Sequence, residues 1–173
     1  MQATSRSLLA AMLLLTSPLL MGGTAERADF DQRLLAVHNA ERVKVGVPPL
    51  VWNDQLAAEA RAWAKEMAAT GRFEHSPDEA TEAPEGENLW AGTPHYYSPE
   101  SMVGLWVAEK KDYRPGVFPN NSISGDVEHV GHYTQLIWRG SDKIGCATAL
   151  GRDEEFLVCR YSGAGNVYGE RPA

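Results

Sequence analysis

An α+β domain is the fold class this sequence predicts, and three observations predict it. Two stretches in the first half, near residues 29–46 and 53–71, repeat apolar residues at helical spacing, and a third begins at Ser98 and Pro99. Near the C-terminal end, Ile144–Leu150 and Phe156–Ser162 are rich in β-branched and aromatic residues, with only the charged run 151–155 between them. Helices gathered early and a hairpin gathered late give segregated elements rather than an alternating α/β chain. There is no internal repeat and no low-complexity tract.

The chain opens as a secretory signal. Arg6 is the only charge ahead of the mainly apolar run Leu8–Met21, and the small residues Gly23 and Ala25 follow, which points to cleavage after Ala25. Thr16, Ser17 and Pro18 interrupt that run, and it falls short of the roughly 20 apolar residues of a bilayer span, so a permanent membrane anchor is not expected. Removing 25 of the 173 residues leaves 148, enough for one domain with a full core over residues 26–173. Loss of Arg6 moves the net charge from −7 to −8. An acidic chain without clustered Lys and Arg disfavours both nucleic acid and anionic membrane surfaces. The sequence predicts an exported protein, and it carries no signal for assembly.

The first helix is expected to start near Asp29 or Asp31, either of which is a suitable cap, to carry Leu34, Leu35, His38 and Arg42, and to end at Gly46. Pro48 and Pro49 restrict the next segment to a turn and a short extended piece up to Trp52. Asn53 then caps a second helix whose stripe is Leu56, Ala60, Trp63, Ala64 and Met67, with Gly71 as its stop. From Arg72 to Ser98 periodicity is lost among Pro77, Pro84, Gly86, Gly92 and Pro94, and a long irregular loop is expected. It contains His75 beside Ser76, and later Glu87 and Asn88 directly before Leu89 and Trp90. A charge next to two large apolar residues needs a partner if it is carried inward with them.

Ser98 as cap and Pro99 at the first helical position start a third helix with the stripe Met102, Leu105 and Trp106. Glu109 lies three and four residues beyond the last two, so its carboxylate falls on the same face. Lys110 and Lys111 leave the helix elsewhere, which makes a histidine from a distant part of the chain a good partner for Glu109. The stretch Gly131–Trp138, reading GHYTQLIW, sets an imidazole, a phenol, a hydroxyl and an amide directly before an apolar anchor and so draws His132 inward. In an exported chain the two cysteines, Cys146 and Cys159, favour a disulfide over a metal site, and the hairpin would place them opposite one another or nearly so. A tail containing Gly163, Gly165, Asn166 and Gly169 closes the chain.

The runs HNAERVKVGVPPLVW, GENLWAGT, GHYTQLIWRGSDKIGCA and FLVCRYSGAGNVYGERP occur in order over essentially the whole mature chain. In them the sequence resembles the CAP superfamily of cysteine-rich secretory proteins, antigen five allergens and plant pathogenesis-related proteins, and it is most like the plant branch. The resemblance implies a three-layer α-β-α sandwich around a central antiparallel sheet. It also implies a cavity holding His75, His132, Glu87 and Glu109. Val130 departs from the plant pattern, which usually has a cysteine before GHYTQ, so Cys146 and Cys159 alone remain to form a bridge.

The resemblance implies two functional readings, and the residues themselves suggest a third. The first is a binding protein whose cavity takes zinc or another divalent metal between His75 and His132, with Glu87 and Glu109 orienting the imidazoles. The second is capture of a sterol or other lipid against Trp90, Tyr96 and Tyr97. The third is a hydrolase of peptides, with His75 or His132 as general base oriented by Glu87 or Glu109, and Ser76 or a metal-bound water as nucleophile. The sequence has no G-x-S-x-G elbow and no H-E-x-x-H helix to support that third reading. The tail after Tyr161 resembles a segment that plant relatives release, and it serves equally as a packed structural cover.

Overall fold

The computed structural model describes residues 21–77 and 84–173. Helix α1 (Met21–Lys44) begins earlier than Asp29, so the cleavage expected after Ala25 would fall within its first turns, and residues 1–20 of the signal lie outside the described residues. The helix stops two residues before Gly46, whose φ of 71° is the left-handed turn that glycine adopts at little cost. Its inward face carries Leu34 together with three buried polar residues, His38, Glu41 and Arg42. Arg42 is satisfied entirely by main-chain carbonyls. Its Nε donates to Pro48 O at 2.7 Å, Nη1 to Leu136 O at 3.1 Å and Trp138 O at 2.9 Å, and Nη2 to Ser141 O at 2.9 Å. Burial lowers its pKa to about 10, leaving it cationic at neutral pH and fixing the end of α1 to two distant segments.

Helix α2 (Asp54–Thr70) starts and stops as the sequence predicts. Asn53 accepts from the Leu56 N–H, and Gly71 closes the last turn at φ 69° with its N–H on Met67 O. Helix α3 (Pro99–Ala108) is capped by the Ser98 hydroxyl, which accepts from the Ser101 N–H. On α3, Leu105 departs from the expected stripe and is 56 % exposed, because the buried face is Met102, Val103 and Trp106. A short helix α4 (Gly131–Leu136) carries the His132 stretch.

The four strands β1 (Val51–Trp52), β2 (Gly86–Gly92), β3 (Lys143–Leu150) and β4 (Glu155–Tyr161) form one sheet in the order β1-β3-β4-β2. The sheet is mixed rather than purely antiparallel, since the two-residue β1 runs parallel to β3. Strand β2 corrects the long irregular loop expected over 72–98. Its residues Asn88, Leu89 and Trp90 are buried in succession, which erases the alternation by which a half-exposed strand is recognised.

Side chains alternate across the sheet and build the three layers. Leu89, Ala147, Phe156 and Val158 pack against Ala60, Ala64 and Met67 of α2. The opposite face gives Trp90, Ile144, Cys146, Leu157, Cys159 and Tyr161 to the core shared with α1, α3 and α4. Gly145 is needed where α2 presses on the sheet, because a Cβ there would stand 2.1 Å from the Ala57 nitrogen. Cys146 and Cys159 are register partners on β3 and β4 and are joined by a disulfide.

The tail is packed onto the domain. Asn166 donates to Gly131 O at 3.0 Å and accepts from the Thr134 hydroxyl at 2.6 Å, while the Arg139 N–H donates to Pro172 O at 2.7 Å. Gly165 lies so close to Gln135 that a Cβ would meet its Oε1 at 2.1 Å.

Candidate functional site

The four residues singled out in the sequence form two histidine–carboxylate pairs. In the first, His75 Nδ1 stands 2.7 Å from Glu87 Oε1, and the same oxygen accepts the Ser76 N–H at 3.0 Å. Glu87 is the second residue of β2 and the register partner of Arg160 on β4, whose Nε is 3.5 Å from Glu87 Oε2. Burial pushes the Glu87 carboxyl up, but His75, the Ser76 N–H and the Arg160 charge outweigh it, and the pKa falls below the ordinary carboxylate value. The carboxylate is 9 % exposed while the imidazole is 64 % exposed, so a buried acid holds a solvent-facing base.

In the second pair His132 Nδ1 lies 2.6 Å from Glu109 Oε1, and the Tyr133 N–H donates to Glu109 Oε2 at 3.0 Å. Glu109 therefore finds the distant histidine that its place at the end of α3 demanded. The His132 ring also stacks on Trp106, with centroids 6.0 Å apart and planes 7° from parallel. Trp106 is itself fixed by its indole N–H on Leu89 O at 3.1 Å. In both pairs the carboxylate engages Nδ1, and among the described residues neither Nε2 has a hydrogen-bond partner.

A buried polar chain ties the pairs to the core. Asn88, next to Glu87, donates from Nδ2 to His132 O at 3.0 Å and to the Tyr161 hydroxyl at 3.3 Å. Tyr161 is 2.9 Å from His38 Nε2, and His38 Nδ1 is 2.8 Å from Leu34 O. A carbonyl only accepts, so the proton sits on His38 Nδ1, Nε2 accepts, and the Tyr161 O–H donates. Full burial lowers the His38 pKa to about 4 and raises that of Tyr161.

Sequence reasoning missed Glu41. This 3 % exposed carboxylate accepts from Lys110 at 2.6 Å, Lys44 at 3.1 Å and the Tyr133 hydroxyl at 3.0 Å, locking the residue next to His132. Burial raises its pKa, and these donors together bring it below the usual value. Its position three residues after His38, on the same helical face, was the available signal.

Among the described residues no group of three or more His, Cys, Asp or Glu side chains is placed to hold a metal ion, so an ion shared between the pairs would have at most two of these side chains as ligands. The Ser76 side chain has no hydrogen bond among those residues; its backbone N–H is the group engaged. Trp90, Tyr97 and Tyr96 form an edge-on ladder with centroids 5.1 and 5.0 Å apart. A groove of about 840 Å³ lies at the opposite end of β2 and β4, lined by Tyr97 and Glu155 among others. No described helix is long and apolar enough to cross a membrane.

Residues 35–161 match the family described as CAP, the cysteine-rich secretory protein family. A pathogenesis-related protein PR-1 of Medicago truncatula is 36% identical over 145 residues, covering 83% of this chain and 79% of that protein. A PR-1 type protein of Sambucus nigra is 39% identical over 142 residues, covering 82% and 80%. The solved structure of NaASP2 with Zn2+ superposes with a TM-score of 0.69 at 22% identity, over 82% of this chain and 83% of that one, a likeness of fold.

Proposed function

This chain belongs to the CAP family, with plant PR-1 proteins among its relatives, and from that premise we propose that it is an exported binding protein that takes a divalent cation, zinc above all, on His75 and His132. The observation that supports this reading is the shared geometry of the two histidines. Each commits Nδ1 to a carboxylate and has Nε2 unengaged among the described residues, the arrangement by which an outer carboxylate fixes the tautomer and orientation of a ligating imidazole. Glu87 and Glu109 are the orienting carboxylates. Two imidazoles supply half of a tetrahedral zinc set, so water completes the coordination and the affinity is modest. Bound there, the ion would act as a Lewis acid, while Glu87 and Glu109 hold the two imidazoles in orientation through Nδ1. That NaASP2 is described with Zn2+ agrees with this choice of ion.

Export rests on the N-terminal signal, and the disulfide fits an oxidising compartment. Exported protein should lack residues 1–25 and carry no alkylatable thiol. Zinc titration by calorimetry tests the binding: His75→Ala and His132→Ala should each abolish the heat, and Glu87→Gln should weaken it. Unchanged titrations in both histidine variants would falsify the assignment. A second reading, capture of a sterol or other lipid, is favoured by the Trp90, Tyr97 and Tyr96 ladder, since Tyr96 is 76 % exposed and presents its ring to solvent. Lipid extraction and mass spectrometry of the purified protein distinguish the two.

A further inference from the structure

We propose that the free edge of β3 is a docking site for an extended segment of a partner polypeptide, which adds to the sheet as a fifth strand. Strand β1 covers only the beginning of that edge, pairing Val51 with Lys143 and Trp52 with Ile144. Beyond Ile144, no strand among the described residues covers β3 on that side.

The phase of the ladder decides what the open edge presents. Cys146 and Cys159 stand opposite with Cα atoms 4.1 Å apart, the close spacing of an antiparallel pair that exchanges no main-chain bonds. Residues on β3 in the same phase therefore turn N–H and C=O away from β4. The Asn53 N–H accordingly donates to Ile144 O from the β1 side at 2.8 Å. Thr148 and Leu150 share that phase. Among the described residues their main-chain groups have no partner from a loop or side chain on the open side.

These two residues also line the groove of about 840 Å³, which is bordered by Phe30 of α1 and by Lys65, Ala68 and Ala69 of α2 and continues to Tyr97 and Glu155 on the β4 side. Its shape and chemistry select the occupant. Residues of two helices, α1 and α2, border the groove beside this edge, a setting that suits a single added strand. An apolar lipid chain would cover the Thr148 and Leu150 donors and acceptors without satisfying them, a desolvation cost that a peptide main chain avoids. Strand addition satisfies them directly, with alternate side chains entering the groove. Ala68 and Ala69 leave room for large apolar side chains. The Glu155 carboxylate in the same groove already accepts the His95 N–H at 3.0 Å, whereas Lys65 is exposed and has no ion pair among the described residues, so the partner segment carries an acidic residue facing Lys65.

The test pans a random dodecapeptide phage library over the full chain and titrates synthetic copies of the recovered peptides by fluorescence anisotropy. Bound peptide should slow hydrogen exchange at the Thr148 and Leu150 amides. Thr148→Pro removes an outward N–H that β4 does not use, a tolerated change on an edge strand, and should weaken binding at least tenfold. Ala69→Trp fills the groove from an exposed helix position and should do the same; it carries the test alone if Thr148→Pro does not fold. Lys65→Glu should reverse the preference for an acidic residue. Recovery of no peptide above background, or equal affinity for wild type and Ala69→Trp, overturns the proposal.

Discussion

The two histidine–carboxylate pairs have nearly the same local geometry and very different foundations. Each couples Nδ1 to a carboxylate oxygen, at 2.7 and 2.6 Å, and each carboxylate also takes one main-chain N–H at 3.0 Å, from Ser76 or Tyr133. His132, however, lies on a helix, stacks on a buried tryptophan and has its carbonyl held by Asn88. His75 stands in a loop with no aromatic ring against it among the described residues, and Glu87 is the side chain that orients it. The difference teaches that an identical pair is a consequence of packing on one side and its own main support on the other. The protein therefore offers one preset imidazole and one that a single carboxylate positions.

Trp106→Ala breaks the comparison most severely. The indole is 2 % exposed and touches His132 face-on and His38 edge-on, so its removal opens a cavity at the centre of the larger core. A loss of about 3–5 kcal/mol is expected in urea unfolding. The His132 side-chain resonances should change strongly and those of His75 little. Equal changes in both would mean that the pairs are one unit.

Removing each carboxylate sharpens the contrast. Glu87→Ala and Glu109→Ala should each cost about 1–3 kcal/mol, since each leaves main-chain and side-chain donors without their acceptor. The imidazoles should respond unequally. His75 should lose its single tautomer and show averaged ring nitrogen shifts by long-range proton–nitrogen NMR, whereas His132, held by Trp106 and its helix, should keep narrow lines. Averaging at His132 in Glu109→Ala would show that stacking contributes nothing to its order.

How much of this was legible in sequence follows from the same contrast. The helix caps at Asn53 and Ser98, the stop at Gly71 and the pairing of Cys146 with Cys159 rest on local rules, and the structure places them accordingly. The inward carboxylate of Glu109 was readable from helical spacing against Trp106. Strand β2 was not, because it is buried through consecutive residues and begins at Gly86, where a Cβ would stand 2.4 Å from Gln135 Oε1. Neither period marks such a strand. The roles of Glu41 and Arg42 were equally hidden, since apart from Lys44 and Pro48 their partners lie more than sixty residues away in sequence, on Lys110, Tyr133 and the Leu136–Ser141 carbonyls.

Acid separates the core histidine from the pairs. His38 is neutral in the fold with its pKa lowered to about 4, while in the unfolded chain it takes a proton near 6.5. The stability it supports is complete above pH 6.5 and declines as pH falls toward 4, because only the unfolded state gains the proton over that range. The loss between pH 7 and pH 5 is about 2 kcal/mol by linkage. Glu87, whose folded pKa is depressed, contributes stability above the ordinary carboxylate value, and this is lost only as pH falls through its lower folded value. Denaturant midpoints from pH 7 to 3 should thus show a first decline from His38 and a later one from Glu87. A flat profile from pH 7 to 5 would contradict the buried neutral imidazole.

The smallest expected effect concerns Ser76, and it tests what supports the weaker pair. Its backbone N–H donates to Glu87 Oε1 beside the bond from His75, so the amide helps to hold the carboxylate that holds the imidazole. Its hydroxyl has no hydrogen bond among the described residues, whereas a serine nucleophile needs a base within about 2.6–3.2 Å in a productive geometry. Ser76→Ala keeps the amide and removes the hydroxyl. It should change stability by no more than about 0.5 kcal/mol and leave the zinc titration and the His75 tautomer as they are. Ser76→Pro removes the amide instead, and it should disorder His75 without touching His132. If Ser76→Ala abolished a peptidase activity lost equally in His75→Ala, the pair would be a base oriented toward a nucleophile, and the binding reading would give way to hydrolysis.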